Sequence, residues 1–500
     1  MNRSWLYALI LVSLVILPLS PAVSQRQITI DDIWTKGTFR TKGVPGFRFM
    51  NDGRHYTTLE NNYILKYDLT TGNLTDTLLD VNLLNLPGED KQIEDYTFSD
   101  DEAQLLLTAG SEAIYRHSTK EWTYVYDNTT RKVAGLNEKG KQMHATFSPD
   151  GKKVGFVMDN NMYYKDLASG KITQVTTDGK WNHIINGSCD WVYEEEFSFT
   201  KAFAWSPDNR YIAYYRFDES AVKEFTMTNY TGELYPENVT FKYPKVGMEN
   251  SKVSIHIFDT KTKKKVDVDR TSDPDGYIPR IKWTNDPSKL CVFWMNRHQN
   301  HLELLIANSV SGKTTKLLQE ENKYYIDIHD NLTFLQDGQG FIWTSEQDGF
   351  NHIYLYDMSG SLKKQITTGN WEVTSFYGVD EKNKAIYYQS ASASPMEREI
   401  FSVGLDGVTK KQLHVDKGMN TAQFSTTFDL FVLNHSTINS APTYTVYDRK
   451  GKVVRVLENN EGVKAQQDEA GAQPVEFFNF TTSEGVDLNG YMIKPANFDA

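Results

Sequence analysis

One phrase recurs along the chain and limits its fold more than any bulk property does. It consists of an aromatic residue, a short polar turn holding Asp, Asn or Gly, an alternating strand, a second Tyr-rich strand, and an Asp or Gly turn. Copies begin at Phe47 (FRFMNDGRHYTTLENNYILKYDLTTG), Phe98, Phe147 (FSPDGKKVGFVMDNNMYYKDLASG), Trp205 (WSPDNRYIAYYRF), Trp283, Phe334 (FLQDGQGFIWTSEQDGFNHIYLYDMSG), Phe376 and Phe424. Successive starts are 51, 49, 58, 78, 51, 42 and 48 residues apart. Repetition at this period, with two-residue alternation such as Tyr354-Leu355-Tyr356, predicts four-stranded blades. The expectation is an all-β chain forming an eight-bladed β-propeller over residues 45–470. Sandwiches in series have no reason to repeat one phrase, whereas radial repetition leaves only short strand edges exposed. An aromatic content of 13%, led by 28 Tyr, fits, because rings pack well on pleated, half-buried surfaces.

Charge and the chain start narrow the setting. Acidic side chains outnumber basic ones 65 to 53, a net charge of −12, which argues against nucleic acid as a partner. Residues 1–24 read as a secretory signal: Arg3, an apolar run over 5–17, Pro18 and Pro21, then Ala22-Val23-Ser24 at the cleavage point. The run is short against the roughly 20 residues a spanning helix needs, so cleavage is favoured over an uncleaved anchor. The product is then exported, periplasmic or secreted, without a membrane contact. Residues 25–44 form a separate N-terminal segment. Only Cys189 and Cys291 are present, so burial rather than a disulfide framework must stabilise the chain; one bridge stays open.

The two long steps mark insertions at residues 181–199 and 218–252, expected at blade edges. Insertions on a rigid scaffold are where function tends to reside. The first holds Asp190-Trp191-Val192-Tyr193-Glu194-Glu195-Glu196-Phe197. Three consecutive carboxylates among aromatic neighbours are costly to desolvate unless something cationic lies opposite. A peptide N-terminus suits them, since an ammonium has three donors and two adjacent carboxylates can accept two. The plainer reading of the triplet alone is a solvated charge run on a loop. A hard metal cation needs more oxygens than this run supplies, so no metal or cofactor is expected. His117, His144, His183, His298 and His301 are scattered over separate blades and read as surface or turn residues, and His298-x-x-His301 lacks an acidic partner in sequence. Trp181 and Trp191 either brace the acidic run or pack in the core, and Tyr193 is a weak candidate for touching a ligand.

The run from Asp190 to Glu196, followed by Trp205-Ser206-Pro207-Asp208 and an aromatic-rich strand, resembles the propeller of the dipeptidyl peptidase IV family, in the prolyl oligopeptidase group of serine peptidases. The resemblance implies that Glu195 and Glu196 hold the free α-amine of a peptide substrate. It also implies that Arg116, in Tyr115-Arg116-His117-Ser118, orients the glutamate pair and the carbonyl of the penultimate residue. The second insertion, with Tyr243-Pro244-Lys245-Val246-Gly247, resembles the family's dimer-forming extension and implies a homodimer through residues 218–252. Residues 28–34 resemble the segment that packs onto the family's hydrolase domain. A further family arginine on a later blade has no counterpart around residues 324–329. Glutamates that bind a terminal ammonium act as a ruler, so the resemblance implies cleavage two residues in, and it implies X-Pro or X-Ala as the released dipeptides.

Hydrolysis by this group needs Ser on a G-x-S-x-G elbow with Asp and His following. No G-x-S-x-G occurs in the 500 residues. Residues 471–500 read as a β-hairpin, with Gly485 and Gly490 as turn residues, and resemble the first strands of an α/β-hydrolase domain. The triad is therefore expected beyond residue 500, in a longer serine exopeptidase, and the chain alone is expected to be inactive. The alternatives are a non-catalytic secreted propeller that binds peptide N-termini or a protein partner, and a TolB-like scaffold with a solvated Glu run.

Overall fold

The computed structural model describes residues 28–44, 46–84, 86, 92–269, 275–495 and 498–499; the expected signal at 1–24 lies outside them. The chain divides into two compact units, one of residues 45–432 with 446–455, the other of residues 1–44, 433–445 and 456–500. No helix among the described residues is long and apolar enough to cross a membrane.

Eight antiparallel sheets follow one another at residues 48–80, 95–135, 143–174, 184–267, 277–321, 333–365, 373–412 and 419–458, giving an eight-bladed β-propeller. Each blade has four strands in sequence order, except the fourth, which has five. The recurring aromatic has a fixed place. Phe98, Phe147, Trp205, Trp283, Phe334 and Phe424 each close a blade's first strand, Phe47 immediately precedes that strand, and Phe376 lies within it.

The second strand of a blade is apolar on both faces because a neighbouring blade covers each. In Gln104–Ala113, Leu105 and Leu107 pack with Ile64 and Leu79 of blade 1, while Leu106 joins Val154 and Phe156 of blade 3. In Lys289–Met295, Leu290, Val292 and Trp294 face blade 4, whereas Cys291, Phe293 and Met295 face Phe341 and Trp343 of blade 6. Strand alternation thus serves two interfaces at once. Each fully buried Leu or Phe contributes about 1.5–3 kcal/mol, so these layers, rather than one central core, hold the blades together. The last blade meets the first through side chains: Gln423 Nε2 donates to Phe47 O at 3.0 Å and Thr426 Oγ1 to Met50 O at 2.8 Å.

The Asp-to-Gly turn of the repeat links the third and fourth strands. Asp127 accepts the backbone N–H groups of Thr129 and Thr130 at 2.8 and 2.7 Å, Asp259 those of Lys261 and Thr262 at 2.8 and 3.1 Å, and Asp357 those of Ser359 and Ser361 at 2.8 and 3.1 Å. A glycine closes several of these turns. Gly360 has φ +81°, and a Cβ there would lie 1.8 Å from Leu317 O, so both conformation and space require glycine.

Both insertions interrupt blade 4. Ile184–Asn186 and Phe203–Trp205 pair with the same partner, Tyr211–Asp218, so the first insertion breaks one strand in two rather than sitting at the blade edge. The second leaves after Asp218 and returns at Lys252, carrying the hairpin Glu224–Asn229 with Glu237–Lys242. Among the described residues three α-helices occur: α1 (Ile30–Trp34), α2 (Trp191–Glu196) and α3 (Glu461–Glu469). In the smaller unit, Thr29 and Asp32 form a capping box on α1, and Asn460 before α3 bonds Lys42 through both its N–H and C=O. Val475–Thr481 and Asp487–Ile493 form the expected hairpin. Gly485 sits in its turn with φ +79°, but Gly490 lies in the strand opposite Phe478, where a Cβ would come within 2.5 Å of the ring. Close approach of an aromatic, not a turn, is what Gly490 provides.

The turn carboxylates make acid stability measurable. Hydrogen bonds from Thr130 and Thr129 hold Asp127 low, and those from Ser359 and Ser361 do the same for Asp357. Burial raises Asp259, but the Arg210 guanidinium and the turn N–H groups outweigh it and bring the carboxyl to about 2. A carboxyl lowered on folding stabilises fully above its unfolded value of about 3.9 and loses that contribution as pH falls towards its folded value. Tm should therefore fall between about pH 4 and 2 as this contribution is lost. Asp259→Asn should flatten part of that fall, and thermal unfolding followed by circular dichroism across this range decides; a flat wild-type profile contradicts the account.

Candidate functional site

The acidic run is helical rather than a loop. Asp190 caps α2, its Oδ1 accepting Tyr193 N–H at 3.0 Å, while its Oδ2 accepts Ser251 Oγ–H at 2.5 Å from the returning stem of the second insertion. An α-helix turns each successive residue by about 100°, so three consecutive glutamates cannot share one environment. Glu194 is buried, the Glu195 side chain is 13% exposed, and Glu196 is exposed.

Glu194 Oε1 accepts the backbone N–H of His117 at 2.6 Å and of Ser118 at 3.0 Å. These residues lie in the loop between the second and third strands of blade 2, closed at its base by Ile114 N–H to Ser118 O at 2.9 Å. Sequence reasoning placed a cation opposite the whole triplet; for Glu194 the compensation comes from backbone donors. The same loop brings Arg116 to the helix, with Nε 3.3 Å from Glu195 Oε1 and its side chain 72% exposed. Arg116 and Glu195, from blades 2 and 4, are thus brought together as sequence reasoning expected. Glu196 follows on the same helix, and among the described residues no ion pair reaches it.

Aromatic packing fixes α2 from below and from the side. Tyr193 is buried, its ring 4.9 Å from those of Phe197 and Phe217, and its hydroxyl accepts Ile278 N–H of blade 5 at 2.9 Å, so it is not free to meet a ligand. Trp191 lies 4.5 Å from Tyr243, which settles its bracing role. Trp181 is 6.3 Å from Tyr115, and Tyr115 is 6.0 Å from Phe241, joining the blade 2 loop to the second insertion. Arg280 was not singled out from the sequence. Its Nη1 donates to Phe197 O at 2.8 Å, at the end of α2, while its Nε donates to Asp330 Oδ1 at 2.6 Å.

Beneath the helix lies a buried acidic layer. Burial pushes Asp190 up, and burial followed by the Asp190 charge pushes Glu219 to about 7. Glu219 Oε2 is buried and has no hydrogen-bond partner. Lys242 Nζ, close enough to offset part of this, donates to Val222 O at 2.9 Å. Cys189 and Cys291 are both free and buried, and burial pushes both thiols up, so the open question of a bridge resolves as two separate core residues.

The histidines differ from expectation in two places. His144 is only partly accessible, and burial holds it down to about 3. His301 does have acidic neighbours: Glu321 from the adjacent strand at 3.0 Å, a contact that strand pairing creates, and Glu303, two residues on in its own strand, at 3.3 Å. Where sequence offered no arginine, around residues 324–329, a cavity of about 430 Å³ is lined by Glu320, Tyr325, Asp327, His329 and Glu346.

An exposed carboxylate, a largely covered one and a guanidinium on converging elements can together take an ammonium and the carbonyl beside it. Comparison with known proteins places the chain in a family. Residues 99–442 match the model of the dipeptidyl peptidase IV (DPP IV) N-terminal region. The dipeptidyl peptidase 4 of Trichophyton rubrum is 26% identical over 467 residues, covering 90% of this chain and 59% of its own length. That of Trichophyton equinum is 27% identical over 424 residues, covering 81% and 54%. The crystal structure of Porphyromonas gingivalis dipeptidyl peptidase 4 superposes with a TM-score of 0.88 at 39% identity, over 95% of this chain and 68% of that one. The chain spans about half the length of the curated relatives it matches.

Glu219 yields a pH test of the buried layer. Its carboxyl is raised to about 7 on folding, against about 4.3 unfolded, so unfolding releases a proton between these values and stability falls as pH rises through that window. Glu219→Gln removes the titration. Its Tm should exceed that of the unmodified protein at pH 8 by on the order of 3 °C, with the gap closing by pH 4. Parallel profiles for the two proteins contradict a buried, raised carboxyl.

Proposed function

The chain belongs to the dipeptidyl peptidase IV family, and on that premise we propose that it is the substrate-selecting portion of a serine exopeptidase that removes X-Pro or X-Ala dipeptides from free peptide N-termini. The observation that carries the reading is the approach of Arg116 to Glu195 at 3.3 Å, on a helix whose next residue, Glu196, is exposed. Glu195 and Glu196 accept the substrate's ammonium, and Arg116 holds Glu195 in place while presenting donors to the carbonyl of the penultimate residue. An amine bound there fixes the start of the peptide, so the scissile bond falls at one distance from it. A blocked or internal segment leaves the carboxylates desolvated without a partner and is rejected on that ground.

The nucleophile, its Asp and His partners and the oxyanion donors belong to the hydrolase domain of the whole peptidase, whose first strands we assign to the hairpin of residues 475–493. Export by the segment at residues 1–24 and dimerisation through residues 218–252 complete the proposal. The dimer is supported by the exposed apolar side chains of the second insertion, Met227, Tyr230, Leu234, Tyr235 and Val246 among them.

The test is kinetic, on the whole peptidase. Gly-Pro p-nitroanilide should be cleaved and its N-acetylated form refused. Glu195→Gln and Glu196→Gln should each lower kcat/KM roughly 10- to 150-fold, the worth of the 1.5–3 kcal/mol carried by a hydrogen bond to a charged group, with Tm unchanged. Unaltered kinetics in the double Gln variant, or equal turnover of the acetylated substrate, rejects the amine site.

A further inference from the structure

We propose that Glu194 is a positioning residue: it touches no substrate, and its buried carboxylate clamps the blade 2 loop so that Arg116 meets Glu195. The inference rests on the amine-site reading above and assigns a separate task to the first member of the acidic triplet.

Three observations carry it. First, Glu194 is 2% exposed, so its carboxyl lies out of water where no ammonium from a substrate can reach it. Second, one oxygen of that carboxylate accepts two consecutive backbone N–H groups, His117 at 2.6 Å and Ser118 at 3.0 Å, and these belong to the two residues directly after Arg116. Third, the loop has little else to hold its tip. The flanking strands pair as far as Ala113 with Thr119, Ile114 N–H reaches Ser118 O, and the buried Ser118 hydroxyl has no partner among the described residues. Tyr115 steadies the other side through Trp181 and Phe241. Without the carboxylate, two amide donors next to Arg116 lose their acceptor, one of them on a residue only 3% exposed, and the loop must move to rehydrate them. A shift of about 1 Å at the root of a substrate-orienting side chain is enough to cost orders of magnitude in rate.

The clamp needs an oxygen acceptor rather than a charge, and this separates it from the roles of Glu195 and Glu196. A glutamine at 194 still presents a carbonyl oxygen to both N–H groups, whereas at 195 or 196 the loss of charge weakens ammonium binding directly.

The experiment compares Glu194→Ala and Glu194→Gln in the whole peptidase by amide hydrogen exchange over residues 111–119 and by KM and kcat for Gly-Pro p-nitroanilide. Glu194→Ala should speed exchange at His117 and Ser118 at least tenfold and lower kcat/KM at least tenfold, while Glu194→Gln should keep both within about threefold of the unmodified protein. In an Arg116→Ala background, Glu194→Ala should cost less than threefold further, because the clamp acts through that arginine. Unchanged exchange in Glu194→Ala, equal losses for Ala and Gln, or full additivity with Arg116→Ala overturns the inference while leaving the amine site standing. Normal kinetics in Glu195→Gln and Glu196→Gln alongside these variants would instead reject the amine-site reading, and the positioning role with it. Measuring Tm of each variant excludes global unfolding as the cause.

Discussion

Burial of each blade's second strand on both faces is the constraint from which the rest follows. A strand such as Lys289–Met295, with Leu290, Val292 and Trp294 facing one neighbour and Cys291, Phe293 and Met295 the other, must fit two packed layers at once, and a slip by one residue exchanges the side chains of both. Register is therefore fixed in every blade by its neighbours. Loops leaving such strands inherit that rigidity at their roots, and this is what lets residues far apart in sequence meet with useful accuracy.

The candidate site draws on that property. The strands that carry the Arg116 loop belong to blade 2, α2 is an excursion from a strand of blade 4, and blade 5 contributes Ile278 N–H to Tyr193 and the Arg280 guanidinium to Phe197 O. None of these elements is stable alone: a helix of six residues is far below the length at which helices persist in water. Its cap, the ring of aromatics around Tyr193 and the arginine at its end replace the length it lacks. The second insertion takes part through Ser251 and Tyr243, so it steadies the helix whatever else its exposed surface does.

Much of this was legible in the sequence, and the parts that were not have physical reasons. The repeat gave the blade number because a strand-turn-strand unit with an aromatic at a set place leaves a local signature. The Asp turns were readable for the same cause. Arg116, Glu195 and Glu196 were reachable through the family resemblance, but nothing local in Tyr115-Arg116-His117-Ser118 says that it meets residues near 195. The splitting of the first strand of blade 4 was hidden, since Ile184–Asn186 is too short to announce itself as half of a strand completed by Phe203–Trp205. The Glu321 partner of His301 was hidden likewise, because cross-strand neighbours carry no sequence spacing. Gly490 looked like a turn residue because glycine usually signals one, and only the ring of Phe478 opposite reveals the other use.

The acidic triplet shows how far composition misleads when geometry is unknown. As a run of charge, Glu194, Glu195 and Glu196 suggest one solvated patch or one shared cation. Winding them into a helix separates them by about 100° each, and the protein uses the separation. The residue facing inward finds backbone donors, the next finds a guanidinium, and the outermost is left to solvent. A buried carboxylate satisfied by amides costs far less than one awaiting a ligand, so Glu194 is content whether or not the site is filled. Glu195 has the Arg116 guanidinium and Glu196 has no ion pair among the described residues, which is why the proposed amine site rests on these two and not on Glu194.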